Sequence, residues 1–86
     1  MYSVETDDAA QEQVAALPAH ALAAYTELRV VLETSPWSGR PIQPRQPGRR
    51  AGGHTFGGGR GLAVVLILER ERRVDILQVQ WVEITS

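Results

Sequence analysis

The sequence predicts an α+β domain: a strand, two helices and then a three-stranded antiparallel meander, with the helical hairpin packed on one face of a four-stranded sheet. Three observations carry this reading. Apolar residues between Thr6 and Ser35 recur at helical spacing, the stretch from Trp37 to Gly48 is punctuated by three prolines and two glycines, and from Arg49 onward strand-forming runs alternate with a glycine-rich and a charged turn. With 86 residues, 43% of them hydrophobic and 22% charged, the whole chain, 1–86, is read as one domain with a small core.

Tyr2 to Glu5 brings aromatic and β-branched residues together and reads as a short strand. Thr6 then supplies a capping side chain, with Asp7 and Asp8 in the first turn, where carboxylates suit the positive end of the helix dipole. Ala10, Val14 and Leu17 define the buried side of this first helix, which runs to about Leu17. Pro18 disfavours helical geometry at Leu17 but suits the first position of a new helix, so the chain turns there. In the second helix, Leu22, Tyr25, Leu28 or Arg29, and Leu32 trace one face, and Ser35 and Pro36 end it.

The segment from Trp37 to Gly48 is expected to be an irregular extended connection. Arg49 to Phe56 reads as a strand weakened by Gly52 and Gly53, at an edge or with a bulge, and Gly57–Gly59 as a flexible hairpin turn. A phosphate-binding loop is excluded there, because it needs a lysine and a following helix, whereas an apolar strand follows. Leu62 to Leu68 has no polar residue, the pattern of a central strand covered on both faces or nearly so. After a charged turn at Glu69–Arg73, the last strand alternates, with Leu77, Val79 and Trp81 on one face and Ile76, Gln78 and Gln80 on the other.

Charge is distributed unevenly. All nine basic residues are arginine, and five of them (Arg40, Arg45, Arg49, Arg50 and Arg60) lie between Trp37 and Gly61, where there is no acid. Guanidinium offers a planar fork of donors for phosphate or carboxylate, so this island is a candidate anion surface. The net charge of −1 argues against a surface built throughout for nucleic acid. With no cysteine there is neither a disulfide framework nor a thiolate metal site, and the expected compartment is the cytoplasm. The beginning of the chain lacks the pattern of a signal peptide, and no apolar run reaches membrane-spanning length, so no membrane association is expected. No metal and no cofactor are expected.

The helical pair "AALPAHALAAYTELRVVLETSPWSGRP", ending in a proline–tryptophan and glycine–arginine loop, and the meander "LAVVLILERERRVDILQVQWV" together resemble the RelE/ParE superfamily of bacterial type II toxins, in small members with an actinobacterial look. The resemblance covers nearly the whole chain. It implies a toxin held inactive by a cognate antitoxin that wraps its basic groove, assembled as a homodimer or a toxin–antitoxin hetero-oligomer. RelE-like members cleave mRNA on the ribosome, and ParE-like members poison DNA gyrase. In the nuclease branch basic residues on the second strand and an arginine on the third surround the scissile phosphate. By position, Arg49, Arg50 and His54 fall on that second strand and Arg60 just ahead of the third.

Two departures stand out. The third strand carries Ala63, Val64 and Val65 where an arginine is expected, and the C-terminal "QWVEITS" supplies no histidine, arginine or tyrosine, Trp81 standing about where some relatives have a catalytic histidine.

RNA cleavage through the 2′-hydroxyl needs a base, positive charge for the transition-state phosphate and an acid for the leaving oxygen. Histidine exchanges protons near neutral pH, which makes His54 and Arg60 the candidate catalytic residues. Arg45, Arg49 and Arg50 are the candidate RNA or phosphate contacts, and Arg49, Arg50 and Arg60 the candidate antitoxin contacts. Two functions stay open: a ribosome-dependent mRNA endonuclease, with ribosome and mRNA as partners, or a non-nuclease member of the fold that inhibits gyrase or only binds its antitoxin.

Overall fold

A computed structural model describes residues 1–42 and 49–82. In chain order its elements are β1 (Ser3–Thr6), α1 (Asp8–Ala15), α2 (Ala19–Thr34), a 3-10 turn (Pro36–Ser38), β2 (Arg40–Pro41), β3 (Arg49–Phe56), β4 (Gly61–Leu68) and β5 (Arg73–Trp81). The strands form one mixed sheet in the order β1-β5-β4-β3-β2. β3, β4 and β5 are the expected antiparallel meander, and β1 runs parallel to β5 with Ser3 beside Arg73 and Thr6 beside Ile76.

Among the described residues the sheet has five strands, not four. The additional one is β2, inside the segment expected to be irregular: Arg40 and Pro41 pair with Gly53 and Gly52, and the Ile42 N–H donates to the Ala51 carbonyl. Proline is tolerated there because β2 is an edge strand, where a missing N–H leaves no ladder acceptor unserved. Pro36 likewise suits the first position of its 3-10 turn.

At the other edge Asp7, not Thr6, occupies the N-cap position of α1. The Asp7 N–H donates to the Ile76 carbonyl at 2.9 Å, which prolongs the β1–β5 ladder by one residue and delays the helix to Asp8. Thr6 stays in β1, where its hydroxyl accepts from Arg29 of α2. Gln13 of α1 accepts the Val79 N–H at 2.7 Å and so seats the first helix on β5.

Both helices lie on one face of the sheet. The core joins Ala10 and Leu17 to Ala21, Tyr25, Leu28 and Leu32 of α2, and meets the inward side chains of β3, β4 and β5. The buried stripe of α2 contains the expected Tyr25, Leu28 and Leu32, but at its start Ala21 is fully buried in place of Leu22, which lies on the flank and is exposed. A small residue at position 21 lets the helix approach the sheet closely.

β4 is the central strand, as expected, but it is not covered on both faces. Gly61, Ala63, Val65 and Ile67 point into the core, while Leu62, Val64, Leu66 and Leu68 alternate with them on the opposite side and keep part of their surface in solvent. No described element crosses that open face.

The alternation expected in β5 also fails, for a local reason. Val64 pairs with Gln78 but Val65 pairs with Ile76, so Leu77 is an extra residue, a β-bulge. The bulge reverses the phase: Val74, Ile76 and Val79 are buried together, and Leu77 is exposed on the open face.

Candidate functional site

The β3–β4 hairpin is the element that positions most of the candidate residues. Its turn is made by Gly57, Gly58 and Gly59, all with φ between 63° and 89°, the left-handed region that side-chain-bearing residues avoid. Gly57 also lies under Trp81, whose ring would stand 2.6 Å from any Cβ added there. Trp81 stacks on Phe56 with ring centres 5.8 Å apart, and Phe56 meets Tyr25 edge-on at the same distance. Trp81 is therefore part of the packing against the core that holds the hairpin. Trp37, half exposed, meets Tyr2 edge-on.

His54 points into the protein. Its register partner is Ala63, one of the fully buried residues of β4, and His54 itself is 6% exposed. Its Nε2 donates to the Pro36 carbonyl at 2.8 Å, since a carbonyl can only accept. Gly39 packs against the same ring, where a Cβ would come within 2.6 Å of Nε2 and 2.5 Å of the Gly53 carbonyl. In this arrangement His54 pins the turn after α2 to the edge of the sheet, with its proton-bearing nitrogen committed to the backbone.

The arginines are dispersed. Arg49 stands beside Leu68 at one end of the hairpin, and Arg60 follows the glycine turn at the other. Seven residue steps along β3 separate these ends, about 23 Å at roughly 3.3 Å per residue. Arg49 and Arg60 therefore do not share one rim. Arg50 faces the helical side and pairs with Glu69 at 2.8 Å, both groups being partly exposed. The expectation that no acid neutralises the island locally is thus corrected, because β3–β4 pairing brings Glu69 across from a residue nineteen positions away. Arg45 lies outside the described residues.

What the sheet does bring together is Arg40 with the middle of β3. Arg40, Ile42, Gly53, His54, Thr55 and Leu62 line a broad groove of about 730 Å³ at the β2 edge. Arg40 belongs to the basic island of the sequence, where it has no role of its own. The signal available in the sequence was the alternation of Arg40 and Ile42 around Pro41, which is the spacing of an edge strand. Among the described residues no group of three or more histidine or acidic side chains is placed to hold a metal ion. No helix among them is long and apolar enough to cross a membrane.

No family profile and no curated protein sequence matches the chain significantly. Solved structures do. The isolated E. coli RelE toxin superposes with a TM-score of 0.76 over 100% of this chain and 89% of its own, at 14% identity. The chain has the RelE fold. The archaeal RelE–RelB complex from Pyrococcus horikoshii OT3 is similar at a TM-score of 0.77, 15% identity and 93% coverage of each chain. The toxin–antitoxin complex RelBE2 from Mycobacterium tuberculosis is similar at 0.74 and 24% identity, over 94% of this chain and 98% of that one. On this RelE fold, then, His54 is an internal fastening, Arg50 is ion-paired, and Arg40, Arg49 and Arg60 present separate exposed charges.

Proposed function

We propose that the chain is the toxin of a type II toxin–antitoxin pair, acting in the cytoplasm and held inactive by a cognate antitoxin. The observation that carries this reading is the similarity of essentially the whole chain to the isolated RelE toxin, together with likeness to two complexes of RelE with its antitoxin. Arg49 and Arg60 are the exposed cations proposed to meet antitoxin carboxylates, and Arg50 contributes only if it leaves Glu69.

Two activities are compatible with a toxin of this fold. Ribosome-dependent cleavage of mRNA would require His54 to exchange a proton and Arg60 to stabilise the scissile phosphate. The geometry favours the other reading, a member that acts by binding, either to gyrase or to its antitoxin alone. His54 Nε2 is held by Pro36, and among the described residues Arg49 and Arg60 stand at opposite ends of the hairpin. A base, an acid and a clamp of positive charge must all stand within reach of one phosphate for this cleavage.

The test is induction of the chain in bacteria with and without any small protein encoded beside it. Growth arrest relieved by that neighbour supports the toxin reading, and indifference to it removes that reading. Messenger cleavage and the DNA-damage response are followed in the same cultures. Intact mRNA, with His54→Ala and Arg60→Ala as toxic as the parent, supports the binding reading. A loss of cleavage by roughly 10²-fold or more in either variant establishes the nuclease instead.

A further inference from the structure

At the groove beside β2, part of the edge of β3 is left without a neighbour among the described strands. β2 pairs with β3 through Arg40 beside Gly53 and through the Ile42 N–H on the Ala51 carbonyl. Alternate residues of β3, namely Ala51, Gly53 and Thr55, therefore turn their backbone groups toward that side. β2 begins only at Arg40, and Ser38, which would have continued the ladder to Thr55, belongs to the 3-10 turn, where its amide and hydroxyl both donate to the Ser35 carbonyl. The Thr55 amide and carbonyl are thus left facing the groove. Arg40 stands across from Gly53, whose missing side chain leaves a floor between the exposed Ile42 and Leu62. Among the described residues no carboxylate pairs with the Arg40 guanidinium.

We propose that this corner binds the C-terminal residue of a partner protein, taken up as a prolongation of β2. A segment entering in line with β2 runs antiparallel to β3 and ends against Arg40. Its last residue lies opposite Thr55, so its N–H donates to the Thr55 carbonyl and one oxygen of its carboxylate accepts the Thr55 N–H, the two bonds a ladder residue makes at such a position. Arg40 follows two strand steps on and on the same face, roughly 7 Å away along the strand, a distance its side chain spans to reach the second carboxylate oxygen. The last side chain falls between Thr55 and Gly53 against Leu62, which suits an aliphatic residue.

The layout of the edge selects a chain terminus over an acidic side chain inside a partner. β2 already occupies the edge at Gly53, so an incoming strand has to stop after the residue opposite Thr55, and at a C-terminus the carboxylate stands at that stop. Nucleic acid fits less well. Single strands are held by aromatic platforms and a track of positive charge, whereas the described lining of the groove has one guanidinium and no tryptophan, tyrosine or phenylalanine. The inference is independent of the toxin reading, which assigns the antitoxin contacts to Arg49 and Arg60 and uses neither Arg40 nor Thr55.

Titration of the full chain with the acetylated peptide TVTL, carrying a free C-terminal carboxylate and followed by amide and methyl NMR, reads the binding directly. The Thr55 amide and the methyl groups of Ile42 and Leu62 should shift saturably in the millimolar range, while the methyl groups of Val30 and Val31, exposed on α2, stay still. The same peptide closed as a C-terminal amide loses the charge and should bind at least about tenfold more weakly. TVTS, which lacks the aliphatic side chain, should lose roughly as much. Arg40→Gln should weaken the free-acid peptide by a similar factor, with slow exchange of the Ile42 amide showing that β2 is still paired. If that variant loses β2, the comparison of acid with amide on the unaltered chain decides alone. Shifts at Thr55 that do not appear or do not saturate overturn the proposal. So does equal binding of acid and amide, or a uridine oligonucleotide that shifts these resonances where the peptide does not.

Discussion

The two sides of β4 look alike in sequence and differ in the fold. Ala63, Val65 and Ile67 are no more than 1% exposed, sealed by two helices, whereas Leu62 on the other side is 36% exposed and Val64, Leu66 and Leu68 are only partly covered. A run without polar residues therefore reports that a strand is central, and leaves open whether one face or both are covered. What separates the faces is where the connections run: α1 and α2 come between β1 and the meander and both settle on the same side of the sheet. One side of the strand supplies stability, and the other stays partly open to solvent.

The sharpest way to break this comparison is to truncate one residue on each side. Ile67→Ala opens a cavity in a closed core and should lower the unfolding free energy by about 2–5 kcal/mol, whereas Leu66→Ala on the open side should cost less than about 1.5 kcal/mol. Urea denaturation at low micromolar protein measures both. Equal losses would mean that the open face is as closed as the other.

His54 belongs to the closed side and should behave accordingly. His54→Ala leaves the buried Pro36 carbonyl without its donor and should cost about 1–3 kcal/mol in the same denaturation measurement. Hydrogen exchange should rise at the Ile42 amide, which depends on the turn that His54 pins. A variant of unchanged stability would return His54 to the list of residues free for chemistry.

The smallest effects are expected among the arginines. Arg50 and Glu69 form a partly exposed pair, so a double-mutant cycle with Arg50→Ala and Glu69→Ala should give a coupling of about 0.2–1 kcal/mol. Arg49→Ala, at an exposed position of the same strand, should change stability by no more than about 0.5 kcal/mol. A coupling near zero would mean that Arg50 is as available to a partner as Arg49.

The elements of the fold were legible wherever local chemistry decides them. The proline after Leu17 separates the helices, three consecutive glycines form the hairpin turn because each adopts positive φ, and the strand-forming runs are the three strands of the meander. β2 was concealed by its proline, since an edge strand tolerates one and its existence depends on Gly52 and Gly53 being there to pair with. The candidate site was less legible. A shortage of acids along the chain around Arg50 did not mean a shortage in space, because pairing places Glu69 at its side. His54 has the composition of a catalytic residue, and its role as a fastening depends on Pro36 and Gly39 meeting it from another segment.

By itself the sequence determined the order of helices and strands, the central place of β4 and the sites of the turns, because periodicity, proline geometry and glycine freedom act over a few residues. Only the tertiary structure decided which face of β4 is closed, which arginines are paired and which way His54 points. The bulge at Leu77 makes the point locally: it comes from the pairing of β5 with β4, and it puts Ile76 on the same inward side as Val79, three residues on, while Leu77 stays outward. Such properties follow from contacts between segments far apart in the chain, and their energies depend on what the packed fold brings together.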